Sequence, residues 1–165
     1  MANASITAPA IGGAALERLQ DEQRQIDGLL TTLMHSPPPD AADRERIESL
    51  ALTLLRVHDA LEATLLQPAL EAHVPSPHPV LQRAASTRSA VRDAADRLEA
   101  LPADAADRRA ALATLATRTR QWFAAEEGSL FALMQDLAQN SGLDLAALDA
   151  ALATRQEALL SAGSA

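Results

Sequence analysis

Arg56-Val57-His58-Asp59-Ala60-Leu61-Glu62-Ala63-Thr64-Leu65-Leu66-Gln67-Pro68-Ala69-Leu70 is the stretch that decides how the chain is read. His58 and Glu62 stand four residues apart, so on a helix they share one face, one turn above the other. A second stretch, Gln121 to Met134, repeats the pattern with one change: Trp122 and Glu126 hold the same spacing, followed by Glu127 and an apolar run. A His and a Glu so spaced, facing the interior of a helical bundle, form a metal-ligand arrangement. The question for the rest of the chain is whether it supplies enough further ligands.

The 165 residues favour one domain with a sizeable core. Apolar residues make up 48% of the chain but aromatic ones only 2%, because most of the apolar share is Ala and Leu. These, with Arg, Gln and Glu, are good helix formers, and no Val/Ile/Tyr-rich run reads as a strand. The expectation is an all-α protein. The absence of cysteine excludes disulfides, thiolate metal sites and thiol catalysis. A formal net charge of −8 argues against nucleic acid or an anionic membrane as partner, since both call for a basic face. No apolar run approaches the roughly 20 residues of a membrane span. The N-terminus lacks the basic and apolar pattern of a secretory signal, so a cytoplasmic protein is expected.

Residues 1–13 are small, polar or Pro/Gly-rich and read as a flexible tail, with a helical domain over 14–161. In the first predicted helix Leu16, Leu19, Gln23, Ile26, Leu30 and Leu33 mark one face. Pro37-Pro38-Pro39 ends it, and Asp40 can cap the next. The second helix is predicted from Ala41 to His73, with Ile47, Leu50, Leu54, Leu61 and Leu65 as its stripe and a kink at Pro68. Ser76-Pro77 suits the start of the third, whose face is read as Val80, Ala84, Thr87, Val91, Ala94, Leu98 and Leu101. Asp104 or Asp107 can cap the fourth, whose inner face is Leu112, Leu115, Thr119, Trp122, Glu126, Leu133 and Leu137. Gly142 suits a left-handed stop, and a fifth, shorter helix from Asp144 to Leu160 lays Leu145, Leu148, Leu152 and Leu159 against the others. Long amphipathic helices with short links imply an antiparallel up-down-up-down four-helix bundle with an additional C-terminal helix.

Each stripe is interrupted near its middle: Gln23, His58 with Glu62, Thr87, and Trp122 with Glu126. At this point the chain resembles the hemerythrin-like, or HHE cation-binding, domain family. The likeness rests on His58 to Glu62 through Leu66 to Leu70, on Phe123 to Glu127 through Leu130-Phe131, and on Gln23 to Leu30 and the tail from Leu143. That family holds two non-haem irons with His residues from four helices and bridging carboxylates. The resemblance implies that His58, Glu62 and Glu126 are retained ligand positions, whereas Gln23, Thr87 (or a neighbour) and Trp122 replace histidines and Ala132 replaces a proline. Trp has no lone pair to offer a metal, and Gln and Thr are poor ligands.

Two readings follow. In the first, the dinuclear site is lost and no cofactor is expected. The chain is then a metal-free binding, regulatory or structural bundle, monomeric or weakly dimeric, serving an unknown protein or small-molecule partner. His58 would pair with Glu62 or Glu126, and Arg88 or Arg92 could reach the other carboxylate, because buried carboxylates need partners. In the second, His58, Glu62 and Glu126 hold a single iron, manganese or zinc ion for sensing of oxygen, nitric oxide or iron, or for oxidative chemistry. A non-redox enzyme with Glu62 or Glu126 as base is a remaining possibility, but the chain has no glycine-rich phosphate loop and no nucleophile motif. On the resemblance, Gln23→His, Thr87→His and Trp122→His together should restore iron binding.

Overall fold

The computed structural model describes residues 13–35, 37–38 and 40–162, and every regular element among them is helical. The tail predicted for residues 1–13 lies, except for Gly13, outside the described residues. The helices are α1 (Gly13–His35), α2 (Ala41–Leu61), α3 (Gln67–Glu71), α4 (Pro79–Glu99), α5 (Arg108–Ala125), α6 (Phe131–Asn140) and α7 (Leu145–Ala162). A π turn, Glu62–Leu66, joins α2 to α3 without a break in the helical rod, and a second, Glu126–Leu130, joins α5 to α6. No helix among the described residues is long and apolar enough to cross a membrane.

The helix ends follow local chemistry. Asp40 caps α2, its carboxylate accepting from the Ala42 N–H at 2.8 Å. Asp144 does the same for α7, accepting from Ala146 at 3.0 Å and Ala147 at 2.9 Å. Gly142 takes φ +77° in the link before it, a conformation that disfavours any side chain. The start of α4 differs from the Ser76-Pro77 expectation: His78 is the cap residue and Pro79 opens the first turn, where a missing N–H is tolerated. Asp107 precedes α5 without capping it through its side chain. Asp40→Ala should lower unfolding stability by about 1 kcal/mol, read by chemical denaturation.

α1 packs against α2, α5 and α7, and α4 packs along α5. α7 lies over α1 and α2, whereas α2 and α4 touch only lightly. The apolar interior is divided in two. One cluster includes Ile26, Leu30, Leu55, Val91, Leu98 and Trp122; the other includes Leu19, Leu61, Leu66, Ala84, Leu130 and Met134. The division falls between Leu19 and Ile26 on α1, Leu55 and Leu61 on α2, Ala84 and Val91 on α4, and Phe123 and Leu130 on the α5–α6 rod. These are the points where the sequence stripes are interrupted.

Some stripe positions differ from expectation, Leu50, Leu65 and Leu133 among them. Leu50 is 44% exposed, on the outer face of α2. Leu66 and Leu70 are buried while Leu65 is only half-buried. Met134 likewise replaces Leu133. The π turns explain the last two. Each carries an i→i+5 bond, from the Gln67 N–H to the Glu62 carbonyl and from the Phe131 N–H to the Glu126 carbonyl. The wider turn advances the buried face by one residue. Pro68 follows the first π turn, as a residue without an N–H would suit, but Ala132 occupies the corresponding place after the second. Proline is therefore not what the π turn requires. The shared feature is the buried glutamate that opens each one.

Candidate functional site

The layer between the two apolar clusters is built from α1, α2, α4, α5, α7 and the two π turns. His58 is fully buried at the end of α2, and Glu62 and Glu126 are buried as the first residues of their π turns. The i, i+4 spacing brings His58 Nε2 to 3.1 Å from Glu62 Oε1, and the facing rod places Glu126 Oε2 at 3.5 Å from the same nitrogen. The other ring nitrogen, Nδ1, lies 2.7 Å from Glu22 Oε2 on α1. Gln156 of α7 donates to the second oxygen of Glu22, and Gln23 donates to Glu126 Oε2. Trp122 is fully buried, and its ring meets the His58 ring edge-on at a centroid separation of 5.1 Å. Phe123 meets it at 5.5 Å.

Arg88 is the polar residue that α4 turns inward. Its Nη1 lies 3.6 Å from Glu62 Oε2, its Nε 3.1 Å from Asp59 Oδ1, and its Nη2 donates to Gln67 Oε1 at 2.7 Å. Arg92, the other candidate partner, is half exposed and pairs with Asp59 instead. Thr87 does not reach the layer, which corrects its reading as the inward station of this helix. It is half-buried and its hydroxyl bonds the Arg83 and Ala84 carbonyls of its own helix. The buried line of α4 runs Leu81, Ala84, Arg88, Val91, Ala95 and Leu98, as regular as the predicted one but rotated by one residue at its N-terminal half. A histidine at position 87 would accordingly sit outside the site. His35, His73 and His78 also lie away from the layer, at a helix end and in the link before α4.

The carboxyls and the imidazole set each other's charge. Burial pulls the His58 pKa down, but hydrogen bonding to Glu126, Glu22 and Glu62 outweighs it and holds the ring well above 6.5, as the imidazolium. Burial also pushes Glu126 up, the neighbouring charge of Glu62 pushes it further, and its carboxyl lies well above 4.5. For Glu62 burial acts in the same sense, but contact with Glu126, His58 and Arg88 prevails and lowers it below 4.5. Of the two, Glu126 is thus the carboxyl that holds a proton more tightly and Glu62 the one that gives it up more readily. Two cations, His58 and Arg88, face the carboxylates of Glu62 and Glu22.

The polar atoms are nevertheless incompletely bonded. Both oxygens of Glu62, Glu126 Oε1, His58 Nε2, Gln23 Oε1, Trp122 Nε1 and the Thr119 hydroxyl are buried without a hydrogen bond of ordinary geometry. His58, Glu62 and Glu126 each offer a ligand atom, all within 4.8 Å of one another. This donor set fits one divalent ion, for which one imidazole and two carboxylates are suitable. It does not fit a dinuclear centre: only one imidazole is present, the Gln23 amide is turned to Glu126, and Trp122 fills the space beside His58.

Glu22 and Gln156 were not anticipated as members of this layer. Both carry a signal in retrospect. Glu22 lies three residues after Leu19 and four before Ile26 on a buried line, and Gln156 lies four after Leu152 and three before Leu159. No protein-family model, curated protein or solved structure matches the chain.

Proposed function

We propose that the chain is a hemerythrin-like domain, an antiparallel up-down-up-down four-helix bundle with α7 laid across it. Its dinuclear metal centre has been replaced by a self-neutralising polar layer. It acts without metal as a binding, regulatory or structural protein in the cytoplasm. The observation that carries this reading is the internal closure of charge. His58 serves Glu22, Glu62 and Glu126, Arg88 stands beside Glu62, and burial beside Glu62 raises the Glu126 pKa. Buried carboxylates need a compensating cation, and here the chain supplies two of its own.

A second reading is favoured by the unpartnered oxygens of Glu62 and Glu126 around His58 Nε2. There His58, Glu62 and Glu126 hold one iron, manganese or zinc ion, which when bound would supply Lewis-acid or redox chemistry for sensing or oxidation. Elemental analysis separates the two. The untagged protein from iron- and manganese-supplemented cells should carry far less than one equivalent of metal, no more than a His58→Ala control. Near-stoichiometric metal that disappears in the control would establish the second reading instead.

A further inference from the structure

Arg88 occupies an unusual place. It is 7% exposed, stands on α4 where α2 and α4 touch only lightly, and lines two small cavities. One, of about 20 Å³, lies on the Trp122 side, and the other, of about 10 Å³, lies against Glu62 and Leu130. Its guanidinium donates to Gln67 at 2.7 Å, stands in ion-pair contact with Asp59 at 3.1 Å without a formed hydrogen bond, and approaches Glu62 Oε2 at 3.6 Å, also without one. The contact with Glu62 is therefore one of charge more than of bonding.

We propose that Arg88 is a built-in counter-cation, held by Asp59 and Gln67 over Glu62, that keeps the His58–Glu62–Glu126 cluster from loading a divalent ion. The inference rests on the metal-free reading and gives the reason for it. The cluster has a cation-binding donor set, with Glu62 buried and both its oxygens without a hydrogen-bond partner. An incoming divalent ion would share Glu62 with a fixed positive charge a few ångströms away, in surroundings where charges are poorly screened. Removing the charge of Arg88 leaves Glu62 in want of a cation, and the ligand atoms are already gathered within 4.8 Å of one another.

The test is titration of the full chain with Mn²⁺ at mildly alkaline pH, followed by calorimetry, by loss of the free-ion paramagnetic resonance signal and by the shift in melting temperature. The proteins are wild type, Arg88→Gln, Arg88→Lys and the Arg88→Gln/Glu62→Gln double variant, with helicity checked by circular dichroism. Arg88→Met, which keeps the buried stem, takes the place of Arg88→Gln in both should the latter not fold. The expected result is one Mn²⁺ per chain in Arg88→Gln, bound at least about 100-fold more tightly than by wild type. Its melting temperature should rise with the ion. The double variant and Arg88→Lys should bind as weakly as wild type. Folded uncharged variants that bind no better than wild type would overturn the role of Arg88 and leave the metal-free reading standing. Tight stoichiometric binding by wild type would overturn both. Binding by Arg88→Lys equal to that by Arg88→Gln would show that shape and not charge excludes the ion, which also defeats the proposal.

Discussion

His58→Ala is expected to lower unfolding stability by about 3–5 kcal/mol near neutral pH, because it removes a buried cation and leaves its carboxylate partners behind. The ring sits between Glu22 at 2.7 Å and Glu62 at 3.1 Å, with no solvent exposure. Chemical denaturation gives the number. Glu126→Gln is the contrasting variant. The Glu126 pKa is raised by burial and by the charge of Glu62, so a neutral amide of the same shape should change stability by less than about 1 kcal/mol. A small effect of His58→Ala, or a large one of Glu126→Gln, would show that the charges are distributed otherwise.

The same layer gives stability a definite pH dependence. His58 has its pKa raised in the folded state, so the native protein binds that proton more tightly than the unfolded chain. Its contribution is complete below about 6.5 and is lost as pH rises through the native value. Glu126 has the same sign, with its contribution complete below 4.5 and lost as pH rises through its raised value. Glu62 is opposite: its contribution is present above 4.5 and lost as pH falls through its lowered native value. Stability should therefore decline from neutral into the alkaline range. Denaturation series across pH should show that decline reduced in His58→Ala.

Trp122→Ala is the second change with a large expected effect, a loss of about 3–5 kcal/mol, because it empties a fully enclosed indole site. Trp122→Phe should cost less than about 1.5 kcal/mol. The indole N–H has no hydrogen-bond partner to lose, and a phenyl ring can still meet the edge of His58. Circular dichroism is the suitable monitor, since Trp122 is the chain's one tryptophan and both variants lack it. If Phe proved as damaging as Ala, the indole nitrogen would have a partner, such as a bound water, that the packing alone does not reveal.

The parts of the site carried by one helix were legible in the sequence. His58 and Glu62 share a face by their spacing alone, and Trp122 and Glu126 repeat it. Gln23 stands on an unambiguous line from Leu16 to Leu33, all of it buried as the spacing requires. α4 was not legible in the same way, because two residue lines meet the period equally well and share Ala84, Val91 and Leu98. An apolar preference selects the one through Val80 and Thr87. The protein uses the one through Leu81 and Arg88, because the aliphatic stem of an arginine can be buried when its head finds Asp59, Gln67 and Glu62. The π turns were equally invisible: nothing in a 3.6-residue pattern announces a turn that takes one residue more, and Leu66 and Met134 exchange places with Leu65 and Leu133 as a result.

What the sequence by itself determined is the helical class, the main helix boundaries and the four residues His58, Glu62, Trp122 and Glu126 as the centre of interest. These follow from local propensity, capping and spacing, which act over a turn or two of one helix. Only the tertiary structure decided that Glu22 and Gln156, from helices at opposite ends of the chain, close the second side of His58, and that Arg88 and not Thr87 stands beside Glu62. Such choices depend on which buried charges meet across separate helices. The energy of a buried charge is set by its neighbours in space, and a one-dimensional pattern does not contain them.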